Sequence, residues 1–134
     1  MSRTLASSPE ARLRHIHLLL AREPGHPDGS SREGYELIAP LDAEGHLDET
    51  AWRSLKDKCR VKRFAEQEAD QIGHIVRKPG GHWAFHYDIH GSIENDETGY
   101  RLASHRFVPG EYVSIKERDG ELKTFRVAAV LELE

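Results

Sequence analysis

"PGGHWAFHYDIHG", residues 79–91, places three histidines four positions apart: His82, His86 and His90. Wound as a helix, this spacing stacks the imidazoles along one side, where they could converge on a metal ion. The residues between them decide against that reading. Trp83, Phe85, Tyr87 and Ile89 alternate at period two, and Gly80, Gly81 and Gly91 bracket the run. Such alternation is the mark of a strand with one buried face. On a strand, residues four apart are separated by about 13 Å, whereas the nitrogen ligands of one zinc ion lie about 2 Å from it. The segment is therefore predicted to be extended, with its aromatic rings turned inward and its imidazoles outward and apart.

The flanking sequence continues in the same grammar. Residues 71–88 read as a hairpin turning at "PGG". A two-residue turn at Gly80 and Gly81 would set Val76 opposite Phe85, His74 opposite Tyr87 and Ile72 opposite Ile89. Near the C terminus, "GEYVSIKERDGELKTFRVAAVLEL" (110–133) forms a second hairpin. There a three-residue loop around Asp119 and Gly120 keeps Val113 and Ile115 on one face with Phe125 and Val127. "LRHIHLLLA" (13–21) is apolar on both alternating faces, as in a strand covered on both sides. "YELIAPLD" (35–42) reads as another strand, interrupted by Pro40, and "RLASHRF" (101–107) as a further one. "HGSIENDETG" (90–99) reads as a long loop, and "VKRFAEQEAD" (61–70) admits either state.

One segment has helical character, "LDETAWRSLKDKC" (47–59). Asp48 can cap its free amides and Glu49 suits the positive end of its dipole. Trp52, Leu55 and Cys59 then share one stripe. The expectation is a mainly β fold: a small barrel or curled antiparallel sheet of six to seven strands with one short helix at about 48–59. Residues 1–11 are expected to be a flexible N terminus and 12–134 a single β-rich domain.

At 134 residues, such a domain buries roughly two-thirds of its unfolded surface and needs no metal or disulfide to fold. A formal net charge of −4 argues against nucleic acid and anionic membrane as partners. The single cysteine, Cys59, has no internal partner, which fits a reducing compartment. The N-terminal stretch lacks the apolar core of a signal peptide, and "IHLLLA" (16–21) is too short to span a bilayer. A cytoplasmic protein without membrane contact is expected.

Ligand-binding candidates are the remaining polar residues on strand faces: His15, His17, His86, Asp88, His90 and His105. His86, Asp88 and His90 are nearest neighbours on their face at about 7 Å, and His15 and His17 repeat that spacing. If the two strands adjoin in a barrel, a His-lined pocket results. No metal ligand set is assigned and no cofactor is expected. A second feature is the basic run Arg53, Lys56, Lys58, Arg60, Lys62 and Arg63, broken only by Asp57 and followed by Glu66, Glu68 and Asp70. It reads as a solvated face or as a patch for an acidic partner. "GHPDGSSREG" (25–34) lacks the Gly-Lys-Ser/Thr ending of a phosphate loop and reads as an inter-strand connection. No Gly-x-Ser-x-Gly elbow is present, Cys59 lies on the apolar stripe, and His105 has no identifiable catalytic partner. His74 is expected to hydrogen-bond within its hairpin to Tyr87.

Three resemblances bear on function. "HIHLLLARE" (15–23) invites comparison with cupins, but Glu23 follows His17 by six residues, and "PGGHWAFH" has Ala84 where a second-motif ligand would stand. "FVPGEYVSIKERDGELKTFRVAAV" (107–130) resembles a hairpin of many small barrels, including RNA-binding ones of the PUA and ASCH type. That likeness implies barrel architecture; RNA binding would also need stacking aromatics or a basic face. As a whole the chain resembles a small uncharacterised bacterial protein family without established function, which supplies no site residues. The leading expectation is a non-catalytic binding or interaction module for a protein partner or small ligand. A metal- or ligand-binding protein or enzyme with a His-lined barrel pocket is the alternative, and an RNA-binding barrel is the third.

Overall fold

Eight antiparallel strands run in chain order around a closed barrel. They are β1 (Leu13–Leu20), β2 (Ser30–Pro40), β3 (Arg60–Ala65), β4 (Glu68–Lys78), β5 (His82–Tyr87), β6 (Glu97–Tyr100), β7 (Tyr112–Lys116) and β8 (Leu122–Glu132). This computed structural model describes residues 12–21, 29–78, 82–87, 97–100, 105–117 and 120–132, with the backbone alone at 82 and 97–100. The expected flexible segment 1–11 lies outside them. β1 closes the barrel by pairing with β2 on one side and β8 on the other, so among the described residues every strand has a neighbour on both sides. No helix among the described residues is long and apolar enough to cross a membrane.

Strand alternation fills the interior. Ile16, Leu18, Tyr35, Leu37, Val61, Ile75, Phe85, Val113, Ile115, Phe125 and Val127 all point inward and are buried. The Tyr35 ring meets Phe85 at 5.3 Å and Phe125 edge-on at 5.0 Å. An eight-stranded barrel is just wide enough for side chains to fill it, and here they do. Trp83, Phe85 and Tyr87 are turned inward as expected, while His86 stands half-buried on the opposite face of β5. Ile89 lies outside the described residues. β1 is hydrogen-bonded on both sides, and Leu13, Ile16, Leu18 and Leu20 are buried, yet His15, His17 and Leu19 face outward and are half-buried.

The hairpin at 71–88 differs in register from the two-residue-turn expectation. Three residues separate Lys78 from its partner His82, so Ile75 rather than Val76 lies opposite Phe85, and His74 faces His86. A slip of one residue turns a strand over: Ile75 is buried, Ile72 is 43% exposed, and His74 lies on the opposite face from Tyr87. The C-terminal hairpin has the expected register, with Val113 opposite Phe125 and Glu117 N donating to the Glu121 carbonyl at 2.9 Å. "VKRFAEQEAD" resolves into the β3–β4 hairpin, turning at Gln67 with φ 66°. β6 arises within the expected long loop, while residues 105–107 of the expected strand are not extended into the sheet and 101–104 lie outside the described residues.

The two ends of the barrel are closed by different chemistry. At one end sits α1 (Glu49–Ser54), whose first turn is capped by Asp48 accepting from Ala51 N at 3.1 Å. Leu55 leaves the helical region at φ −125°, and the chain tightens into a 3-10 turn at Lys56–Lys58 instead of continuing helically to 59. That break lets Cys59 enter the core at the start of β3 while Trp52 packs edge-on to Trp83 at 5.3 Å. Trp52 Nε1 donates to the Ile75 carbonyl at 2.9 Å. The opposite end is closed by charge. Arg63 reaches both oxygens of Glu117 at 3.2 Å, and Tyr35 donates to Glu117 Oε2 at 2.6 Å. Lys123 pairs with Glu33 at 2.9 Å.

Candidate functional site

On the outside of the barrel, strand alternation lays polar side chains in two rows across β1–β5. One row runs His17, Glu36, Lys62, Ile72; the other runs His15, Ile38, Arg60, His74, His86, each adjacent to the next on the neighbouring strand. The first two strands concentrate the chemistry. His15 and His17 are two residues apart on one face of β1, and Glu36 is the cross-strand partner of His17. The two imidazole rings lie with centroids 4.3 Å apart. His15 Nε2 is 3.1 Å from Glu36 Oε1, and Lys62 Nζ is 3.5 Å from Glu36 Oε2. One ligand atom from each of His15, His17 and Glu36 lies within 4.8 Å of the others.

Burial raises the affinity of the Glu36 carboxyl for a proton. The hydrogen bond to His15 and the charges of Lys62, His17 and His15 outweigh that, and the group titrates below its ordinary range. His17 Nε2, in contrast, is buried with no hydrogen-bond partner. Beside the cluster is a shallow depression of about 210 Å³, bordered by His15, Glu36, Ile38, Arg60, Lys62 and Ile72. Arg60 is anchored at its rim by donating from Nε to the Gly73 carbonyl at 3.1 Å.

Of the ligand-binding candidates among the described residues, only His15 and His17 are brought together, and Arg60 and Lys62 of the basic run border the same depression. Between β1 and β5 stand β2, β3 and β4, and adjacent strands are about 4.8 Å apart. His86 is therefore on the order of 19 Å away around the surface. Among the described residues no His-lined interior pocket forms: His15, His17 and His86 face outward, and apolar side chains occupy the barrel. His105 lies in the segment before Phe107, with Nε2 buried and unpartnered. Asp88 and His90 lie outside the described residues. Glu36 escaped the sequence reading because its place opposite His17 depends on the register of the first hairpin.

The basic run is divided by the fold. Arg53 is exposed and pairs with Glu49 at 2.8 Å, and Lys56 sits 5.0 Å from the Trp52 ring centroid. Lys58 is exposed in the 3-10 turn, while Arg60 and Lys62 belong to the outer strand face. Arg63 leaves the patch altogether: it shares the inward face of β3 with Val61, and its side chain is only 10% exposed. Residues 30–34 are part of β2 rather than a connection, with Arg32 paired to Glu66 at 2.9 Å. Cys59 is fully buried; burial, with the Asp57 charge, pushes its thiol up to about 12, so a thiolate nucleophile is excluded at neutral pH.

Comparison with protein-family models, with curated proteins and with solved structures finds no match to this chain.

Proposed function

We propose that the chain is a non-catalytic binding module of the cytoplasm that docks a protein partner on the outer face of β1–β4. The observation that carries this reading is Ile72: a 43% exposed isoleucine beside the depression, with His15, Glu36, Arg60 and Lys62 around it. An apolar centre within a polar rim is the anatomy of a protein-docking patch. The depression is smaller than the ~300 Å³ at which small-molecule pockets begin. A barrel filled with side chains supports the same preference for surface recognition. Arg60 and Lys62 suit an acidic side chain of the partner, and Ile38 and Ile72 suit an apolar one next to it.

The test compares capture by the wild-type chain with capture by Ile72→Glu, a surface change that leaves the core intact. A partner retained by the wild type and lost by Ile72→Glu supports the reading. A partner held equally by both, or none at all, overturns it. So does single-stranded RNA binding that weakens steeply with salt, which would mark phosphate recognition.

A further inference from the structure

We propose that His15, His17 and Glu36 form a binding site for a late first-row divalent metal of the zinc class on the outer surface of the barrel. The donor set itself selects the metal. Two imidazoles and one carboxylate suit Zn²⁺, Co²⁺ or Ni²⁺, whereas Mg²⁺ and Ca²⁺ require shells of oxygen. All three donors are anchored on paired strands: His15 and His17 share one face of β1, and Glu36 is held opposite His17 by the ladder. Sites built on such elements hold their geometry better than sites on loops.

Distances bring the set close to closure. A tetrahedral zinc site with bonds near 2.0–2.1 Å places its donors about 3.3 Å apart. His15 Nε2 and Glu36 Oε1 are already 3.1 Å apart, and all three donors lie within 4.8 Å of one another. His17 has a reason to accept a ligand, since its Nε2 is one of two buried, unpartnered side-chain polar atoms among the described residues. Such atoms normally find a partner in a folded protein. Lys62, 3.5 Å from the second oxygen of Glu36, holds the carboxylate in place from the side. Three protein donors leave one position for water or for a group supplied from outside.

The metal needs only side chains of this chain, so the site stands or falls apart from the docking reading. The experiment uses the full chain, purified without a histidine tag and stripped with chelator, titrated with Co²⁺ and then Zn²⁺ and followed by the cobalt absorption spectrum. The expected result is one equivalent of Co²⁺ in a tetrahedral spectrum, displaced by Zn²⁺ and not by Mg²⁺. His17→Ala and Glu36→Gln each weaken binding at least about tenfold, and His46→Ala and His86→Ala leave it unchanged. Because the chain has nine histidines, those controls separate this site from adventitious binding. Zn²⁺ also raises the melting temperature of the wild type but not of Glu36→Gln, a readout independent of cobalt spectroscopy. Absence of stoichiometric binding, or binding that survives in both His17→Ala and Glu36→Gln, overturns the proposal.

Discussion

Glu36 faces His15 on one oxygen and Lys62 on the other, and that geometry has a consequence in acid. Its folded-state carboxyl titrates below the ordinary value of 4.5, so the folded protein favours the ionised form. The stabilisation is fully present above about pH 4.5 and is lost as pH falls through the depressed folded value. Wild type is expected to exceed Glu36→Gln in denaturation midpoint at pH 7, with the gap closing in acid. Urea titrations across pH 7 to 2.5 check this; a gap constant with pH would show that the carboxylate charge contributes nothing. The identity of the charged residues is plain from the sequence. Their pairing is not, because each pair joins positions on different strands.

At the scale of elements, Gly73 shows how the β4–β5 register is held. A Cβ built there would collide with the backbone carbonyl of His86. β5 cannot retreat from that collision without drawing Phe85 and Tyr87 out of the core. Gly73→Ala is expected to destabilise by about 1–3 kcal/mol, the usual cost of overpacking, with thermal unfolding as the measurement. A substitution without effect would mean that the strands part freely at this point. The strand character of β5 was legible from Trp83, Phe85 and Tyr87 alone. The register of its hairpin was not, since it depends on whether two or three residues make the turn. The register of the C-terminal hairpin was readable because a three-residue loop keeps Val113 and Ile115 on one face with Phe125 and Val127, whereas a two-residue turn would put them on opposite faces. α1 was placed correctly at its start, where Asp48 supplies a local cap. Its early end escaped notice because Cys59 is drawn out of helical phase by the core.

For the whole molecule, the charged closure at one end makes the fold dependent on a pair distant in sequence. Arg63 and Glu117 have side chains 10% and 5% exposed, with Glu33 and Lys123 beside them. Arg63→Met removes two charge-assisted hydrogen bonds from Glu117 and leaves it Tyr35 and Lys123, so the change is expected to cost about 1–3 kcal/mol. The double change Arg63→Met with Glu117→Leu is expected to recover part of that loss, although Glu33 and Lys123 still need each other. A double-mutant cycle from chemical denaturation measures the coupling; strict additivity would show that the two residues do not act as a pair.

Period-two alternation is a property of neighbouring residues, so the sequence by itself determined that this chain is made of strands with an aromatic inner face. It also predicted that the imidazoles beside those aromatic rings face outward, as His86 does. Which outward side chains meet is settled across strands, by turn lengths, bulges and barrel closure, none of which leaves a local pattern. Tertiary structure alone therefore set Glu36 beside His15 and His17, carried His86 to another part of the surface, and drew Arg63 from an apparent basic patch into the barrel.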